Sequence, residues 1–562
     1  MTLQARVVGL CTVLFGLGMM TGCSSPFAPV SADFAPPISL ERFRAIDPIQ
    51  FKVAPPEQAQ QDPALIARDR FEGLSEIELS LQDCRASALA NNLDLKVTLV
   101  NPAIANESLS VQEAAFESAF TTSAIWSQTD TPTAATLTDA QAEFGQVTPG
   151  VRIPMRSGGT ATITLPMNRT KTNNVFSTLN PSYTADLRFS LSQPLLRNAG
   201  RRTATHGIRI ASYDSQIVQA RTRASVIGQL SAVDRAYWRL YQFRAELGVR
   251  QEELELAQEQ RARAQRRVQA GDAAEIEVLR AEAGVASSLE AIIVAQNAVL
   301  TGQRELKRII NRPGLDVATR TMIVPSTPPD PVLYEFDVEA LTERALAERM
   351  ELLELELQAA RDEANITFNE NQAMPALDLT ASYTINGLGG SIDDAYDVLR
   401  DNNFEGWSVG VNLSVPLGNE VALARLRQAV LTRIQRIGTR QAREQTIRQE
   451  VYDAVDRLDA DWQRLLATRQ SVILNTRTLE AEQRQFDQGR STSTDVLDRQ
   501  KDLTAARSSE IRAIVSYQIT QINLAQATGT LLGAARVGWE PIEAPRLGGT
   551  RMFPRARIGD NG

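Results

Sequence analysis

The chain has 562 residues, a net charge of −8, and 43% apolar and 22% charged residues, enough for two or three ordinary domains or one elongated one. The mild acidity argues against nucleic acid as the main partner, because phosphate binding needs a basic surface. The single histidine, His206, leaves little room for His-ligated metal sites or His-based triads, and 32 glycines with 25 prolines are too few for a disordered or collagen-like chain.

Arg6 followed by the apolar stretch Val7 to Met20 predicts an export signal over residues 1–22. Outside it, no apolar run reaches the ~18 residues a membrane helix needs. Met20-Thr21-Gly22-Cys23 resembles a bacterial lipobox, with Met where Leu is usual, and predicts palmitate-type acylation of Cys23. Ser24 after it resembles the sorting signal of outer-membrane lipoproteins. Cys11 leaves with the signal, so Cys84 stands alone and no intrachain disulfide is possible. Residues 23–75, Pro-, Ala- and Gln-rich without periodicity, read as a lipidated, extended tether.

Prolines divide the rest. Pro194 and Pro313 bracket 118 proline-free residues, and Pro416 and Pro541 bracket 124. Proline disrupts helix interiors by ~3 kcal/mol, so both tracts are free to form long helices. Counting back in sevens from Phe486 gives Leu479, Val472, Leu465, Leu458 and Val451, all apolar. Counting back from Val268 gives Arg261, Leu254, Leu247, Leu240 and Val233, with one break at Arg261. Seams this long predict coiled-coil packing. Each tract is interrupted at one glycine, Gly271 or Gly489, suited to the position just past a helix C-terminus, and Ser493 or Thr494 can cap the outgoing helix of the second tract. Each tract is therefore a helical hairpin with glycine at its tip, with an incoming arm on the order of 100 Å long.

The chain also repeats. The two tips align at an offset of 218, and Ala88 to Leu95 aligns with Ala345 to Leu352 at an offset of 257. Alternating segments precede each hairpin. Ala161, Ile163 and Leu165, and then Leu187, Phe189 and Leu191, alternate with polar residues in the first half. Leu377 to Ile385 and Trp407 to Val415 do so in the second. Strands of about nine residues with one apolar and one small-polar face suit a membrane barrel with a wet lumen, or a soluble sheet with one solvated face.

The order of strands, long hairpin, strands, long hairpin resembles the TolC-like outer-membrane efflux protein family over roughly residues 76–532. The residues that carry the resemblance are Asn180-Pro181-Ser182-Tyr183, the run Gln193 to Gly200, Val415-Pro416-Leu417-Gly418, Met374 to Leu379, and Gly489 with Asp495-Val496-Leu497-Asp498. It implies a mixed α/β membrane protein, a homotrimer whose 12-stranded outer-membrane β-barrel continues into a coiled-coil α-helical barrel. The implied layout is a first repeat over 76–312 (short helix, strands 118–193, hairpin 199–310) and a linker or equatorial segment over 313–336. A second repeat over 337–532 (short helix, strands 376–416, hairpin 419–531) and a tail over 533–562 follow. An equatorial collar would take in about 311–345 and 532–545. The stretch Thr129 to Thr178, with Gly158-Gly159 and an extra strand over 160–167, is long for an extracellular loop. It adds a hairpin either to the barrel edge or to a surface cap.

The resemblance further implies a passive exit duct in the bacterial outer membrane, spanning the periplasm and served by a periplasmic adaptor and an inner-membrane transporter. The alternative is the adaptor itself, also an exported coiled-coil protein, but an adaptor usually carries one hairpin. No G-x-S-x-G, paired-Cys spacing or P-loop is found, so no enzyme, cofactor or metal is expected. By the resemblance, Val268, Gly271, Phe486 and Gly489 are adaptor-docking tips, and Asp495 and Asp498 ring the periplasmic entrance. The other reading of these two acids is ordinary helix-start residues favoured by the helix dipole. Glu277 matches an acid that latches neighbouring hairpins. The latch's Arg position is Ser491, with Arg490 beside it, and its Tyr position is Phe486, so the latch rests on Arg490 or is weaker.

Overall fold

The computed structural model describes residues 73–134 and 139–534. The expected signal, Cys23, nearly all of the tether and most of the tail lie outside the described residues. Two helical hairpins dominate. The first has an incoming arm α4 (His206–Gln269) and a return arm α5 (Ile276–Ile310); the second has α9 (Glu420–Asp487) and α10 (Ser493–Ala527). The incoming arms hold 64 and 68 residues, roughly 100 Å each at 1.5 Å per residue. Before each lies a bent helix pair: α1 (Leu81–Asn91) with α2 (Leu93–Ala114), and α6 (Val338–Glu348) with α7 (Met350–Gln372). A one-turn helix α3 (Arg201–Ala204) precedes α4.

The second seam packs as its spacing predicts. Val451, Leu458, Leu465, Leu479 and Phe486 are buried, and Val472 packs against Leu479 and Phe486 with Val496 and Leu503 of α10. The first seam drifts. Val233 and Leu240 are buried, but Leu247 and Leu254 are only half-buried and Arg261 is exposed. Towards the tip the buried row becomes Glu253, Ala257, Gln260 and Ala264. There α4 faces α10 of the other hairpin, with Gln260 Nε2 3.3 Å from Ser493 Oγ, and alanines allow the closer approach. The α5 helix contains an 18-residue stretch of mean hydropathy 1.4, which corrects the expectation that no such run follows the first 22 residues. It is amphipathic in use, packing one face on α4 and on the core that holds Leu95 and Ile323.

The main sheet holds β2 (Ala119–Asp130), β3 (Gln141–Pro154), β4 (Thr160–Thr164), β5 (Met167–Thr172), β6 (Ser182–Pro194), β8 (Ala376–Gly389) and β9 (Glu405–Ser414). Strands β4 and β5 both pair with β3 and β6, so together they fill one position, broken by Leu165-Pro166. The sheet has six positions in the order β2, β3, β4/β5, β6, β8, β9, all antiparallel. Between β8 and β9 sits a helix, α8 (Ile392–Asp401), capped by a reciprocal Ser391–Asp394 box. It packs over Gly387 and Gly389, where an added Cβ would lie 2.2 Å from Ala395 O and 2.5 Å from Asp394 Cβ. The sequence reading placed no helix there.

The segment leaving β6 is clamped to the end of α7 by polar contacts. Asn198, at φ 64°, donates its N–H to Asn371 Oδ1 at 2.7 Å, and Asn371 Nδ2 donates to Leu196 O at 3.0 Å. Halfway along the hairpins, β1 (Glu76–Leu79) pairs in parallel with β7 (Met322–Pro325). Tyr237 accepts from Thr327 N–H at 2.9 Å and donates to Leu79 O at 3.2 Å, stitching this ribbon to α4. The stretch 313–336, expected as a linker and equatorial segment, thus supplies one strand of this ribbon, and residues 76–79 supply the other. A four-residue helix α11 (Leu531–Ala534) closes the described chain.

Candidate functional site

The two hairpin tips are built alike. Gly271 and Gly489 have φ of +81° and +73°, the left-handed conformation in which a Cβ is penalised. Around Gly271, Asp272 N–H bonds Arg267 O; around Gly489, Arg490 N–H bonds Gln485 O. These are the long backbone bonds that close a Schellman turn. The outgoing helix α10 is capped by Thr492 rather than Ser493 or Thr494. Its hydroxyl and Asp495 form a reciprocal capping box, which requires an acid three residues after the cap, and only Thr492 has one. Hydrogen bonds from the Thr492 side chain and backbone hold the Asp495 carboxyl below the usual carboxylate range.

Asp495 and Asp498 are both exposed, three residues apart on one side of α10. Asp495 thus serves as cap acid and surface charge together. Glu277, on α5 at the neighbouring tip, accepts from Arg280 Nη1 at 2.7 Å and from Ser493 N–H at 2.9 Å. It ties the two tips of one chain together through a backbone donor. Arg490 is exposed and is not among its partners. Phe486 is buried with its ring under the Arg267 guanidinium, 4.7 Å from Cζ to the ring centre, and Arg267 Nη1 also donates to Phe486 O at 3.0 Å. The Phe486 side chain is therefore part of the tip's own core. Val268 is half-buried, while Gly271 and Gly489 are exposed.

Two helix surfaces escaped the sequence reading. Helix α2 exposes Leu93, Val97, Val100, Ile104 and Val111, spaced by four, three, four and seven, the spacing of a coiled-coil seam. On α9, Val421, Val430, Leu431, Ile434 and Ile437 are likewise exposed. The α2 spacing stands in the sequence and was the signal available. In the sheet, one face carries Phe120, Trp126, Phe189, Leu191, Trp407, Val409, Val411 and Leu413 in the open. The other face is mostly polar, with Thr162 Oγ1 2.7 Å from Ser190 Oγ and Ser382 Oγ 2.8 Å from Ser408 Oγ, and with Arg152 and Arg188 beside them. Among the described residues no cluster suits a metal ion.

The model for outer membrane efflux proteins matches residues 161–312 and 341–530, more than half of the chain. The chain belongs to that family. Among curated relatives of this outer membrane efflux protein, TolC of Vibrio cholerae is 30% identical over 34% of this chain and 44% of its own length. The outer membrane efflux protein BepC of Brucella suis is 24% identical over 55% of this chain and 65% of its own. The chain thus spans less than two thirds of the length of these relatives. Among solved structures, CusC covers 80% of this chain and 92% of its own with a TM-score of 0.60 at 15% identity. The Campylobacter jejuni CmeC outer membrane channel covers 80% and 86%, again with a TM-score of 0.60, at 17% identity. At these identities the likeness is one of fold, and the fold is that of TolC-like channels, helical and β together.

Proposed function

We propose that this protein is a passive exit duct of the bacterial outer membrane, working as a homotrimer with a periplasmic adaptor and an inner-membrane transporter. The observation that carries this reading is that one chain alone is incomplete. Its sheet ends in two open edge strands, β2 and β9, both exposed along their length. In a bilayer, unpaired edge groups cost several kcal/mol each, so such a sheet must close on itself or on copies. Six strand positions do not enclose an open channel, since about eight only suffice for a filled barrel. Three copies close the sheet, and the apolar stripes of α2 and α9 then have partners in the neighbouring chains. The polar face, lined by serines and threonines, becomes the lumen, and the apolar face meets lipid.

In this reading the hairpins cross the periplasm, the β1–β7 ribbon lies at their waist, and the tips meet the adaptor through the exposed backbone at Gly271 and Gly489. Asp495 and Asp498 from three chains place six carboxylates around the entrance. Transport energy comes from the transporter, so the duct needs no catalytic group. The first repeat is 76–312 and the second 337–532. Cys23 is acylated and supports sorting to the outer membrane. Light scattering on the detergent-purified protein tests the assembly. A mass of three chains with β signal retained is expected, and a monodisperse monomer with that signal intact overturns it.

A further inference from the structure

The resemblance implies four barrel strands per chain, and the sheet has six positions. The two extra ones, β3 and β4/β5, lie between β2 and β6. We infer that this inserted hairpin is part of the lipid-facing barrel wall, so the trimeric barrel has 18 strands and an exit about 1.5-fold wider than a 12-stranded one. The inference rests on the outer-membrane duct reading above.

Four observations carry it. First, the insert is in register with the rest. Phe120, Val151, Ile163, Phe189, Tyr383 and Trp407 are successive cross-strand partners over all six positions. One row later on the opposite face, Ala119, Arg152, Thr162, Ser190, Ser382 and Ser408 do the same. The apolar and polar faces therefore keep their sides through the insert from Ile153 and Ala161 up to Val147 and Met167, and only above these rows does the apolar face end in a charged rim of Glu143, Arg169 and Lys171. Second, the inserted strands are long enough. β3 has 14 residues, against 13 and 14 in β6 and β8. The break in β4/β5 keeps its ladder, because Leu165 N–H bonds Pro149 O and Asp186 N–H bonds Pro166 O. A membrane strand needs ~9–11 residues.

Third, the turn of the insert is fixed to the base of the sheet. Ser157 Oγ is 2.8 Å from Gln193 Oε1, and Gly200 N–H donates to Ser157 O at 3.0 Å. Gly158, at φ +94°, is packed so closely that a Cβ there would lie 2.3 Å from Asn198 O. A free surface cap would have no need of that fit. Fourth, six is even. With β2 and β9 running in opposite directions, β9 of one copy meets β2 of the next antiparallel, and three copies close without a mismatched pair. Barrel diameter grows about linearly with strand number. With ~4.8 Å between strands and a tilt of ~40°, 18 strands give a backbone diameter of ~36 Å against ~24 Å for 12. Only four chain crossings per copy join sheet to helices, because the insert turns back at Met155 to Gly159, so the widening stays within the sheet.

The test uses the purified trimer in nanodiscs and single variants Val151→Cys, Ile163→Cys, Leu191→Cys, Val409→Cys and Thr162→Cys. The probe is a charged, membrane-impermeant maleimide. Protection of the Val151 and Ile163 variants to the same degree as the Leu191 and Val409 variants, with labelling at Thr162, is expected. Rapid labelling of the two insert variants while Leu191→Cys and Val409→Cys stay protected overturns the inference and leaves the duct reading standing. Labelling of all five overturns both. Independently of any substitution, end views of the unmodified trimer by electron microscopy should show a barrel of ~36 Å, and one of ~24 Å refutes the insertion.

Discussion

Asn92 and Ile309 are joined by a bond that Arg349 and Ala527 repeat. Asn92 Nδ2 donates to Ile309 O at 2.8 Å, and Arg349 Nη1 donates to Ala527 O at 3.0 Å. Asn92 and Arg349 each occupy the break between two short helices and are each buried. Each reaches the last residues of the return arm that follows it. The donors are 257 residues apart and the acceptors 218, the two offsets at which the halves of the sequence align. One break is held by a neutral amide and the other by a charged fork that also binds Glu351 and Glu450 at 2.9 and 2.7 Å.

These joints differ in their response to acid. Burial works to raise the Glu351 carboxyl, but the hydrogen bond and charge of Arg349, with Arg443, outweigh it and hold it below its ordinary value of 4.5. A carboxyl lowered on folding contributes stability above its unfolded value and loses it as pH falls. Thermal stability should therefore drop below about pH 4.5, less steeply in Glu351→Gln. The first joint has no such acid. Asn92→Ala should cost about 2 kcal/mol at every pH, from one unsatisfied buried carbonyl and a lost cap. Parent-like melting of Asn92→Ala would contradict this.

Arg85 and Asp234 form a two-pronged ion pair, with both N–H···O distances at 2.7 Å and the Asp234 side chain fully buried. Removing one partner strands a buried charge, at about 3–5 kcal/mol. Arg85→Ala should melt well below the parent, and adding Asp234→Ala should recover part of the loss. A double variant worse than the sum of the two singles would speak against the pair as described.

Cys84 lies in the same core, fully buried, and burial pushes its thiol up to about 12. The thiolate is the reactive form, so the folded protein should resist iodoacetamide at pH 8 and react once unfolded. Quick alkylation of the folded protein would show that the site opens.

The tip glycines allow a sharper test of docking. Gly271→Val and Gly489→Val place a branched side chain at positive φ, at about 1–3 kcal/mol each. No heavy atom lies within 4 Å of a Cβ at Gly271, so the cost is local. Trimers should persist while export by the assembled pump fails. Normal export with both tips altered would remove them from the docking surface.

Much of this fold can be read from residue order. Two proline-free tracts gave two hairpins, and Gly271 and Gly489 gave their tips, because proline and glycine act on the backbone directly. The heptad from Val451 to Phe486 packs as spaced, since one helix pair decides it. The seam from Val233 to Val268 drifts because α4 changes partner along its length, and partner choice is not local. Helix α8 has its capping box written at Ser391 and Asp394, yet ten residues between two strands do not announce themselves. Thr492 displaced Ser493 as the cap through the position of Asp495. The parallel pairing of β1 with β7 links segments about 246 residues apart, and nothing in either four-residue strand names the other. At the tips, Gly271, Gly489, Asp495 and Asp498 are exposed, while Phe486 is the last buried residue of the heptad, with Arg267 over its ring.

Single-channel recording of the purified full chain in planar bilayers tests the central claim most directly. A duct with an acid-lined mouth should insert and give discrete conductance steps. Millimolar divalent or hexammine cations on the side of the hairpin tips should block them, as charged rings do in other pores. The Asp495→Ala, Asp498→Ala double variant should conduct and lose the block. Equal block in both proteins would remove the two acids from the mouth. Failure of the folded trimer to give any conductance would contradict the duct itself.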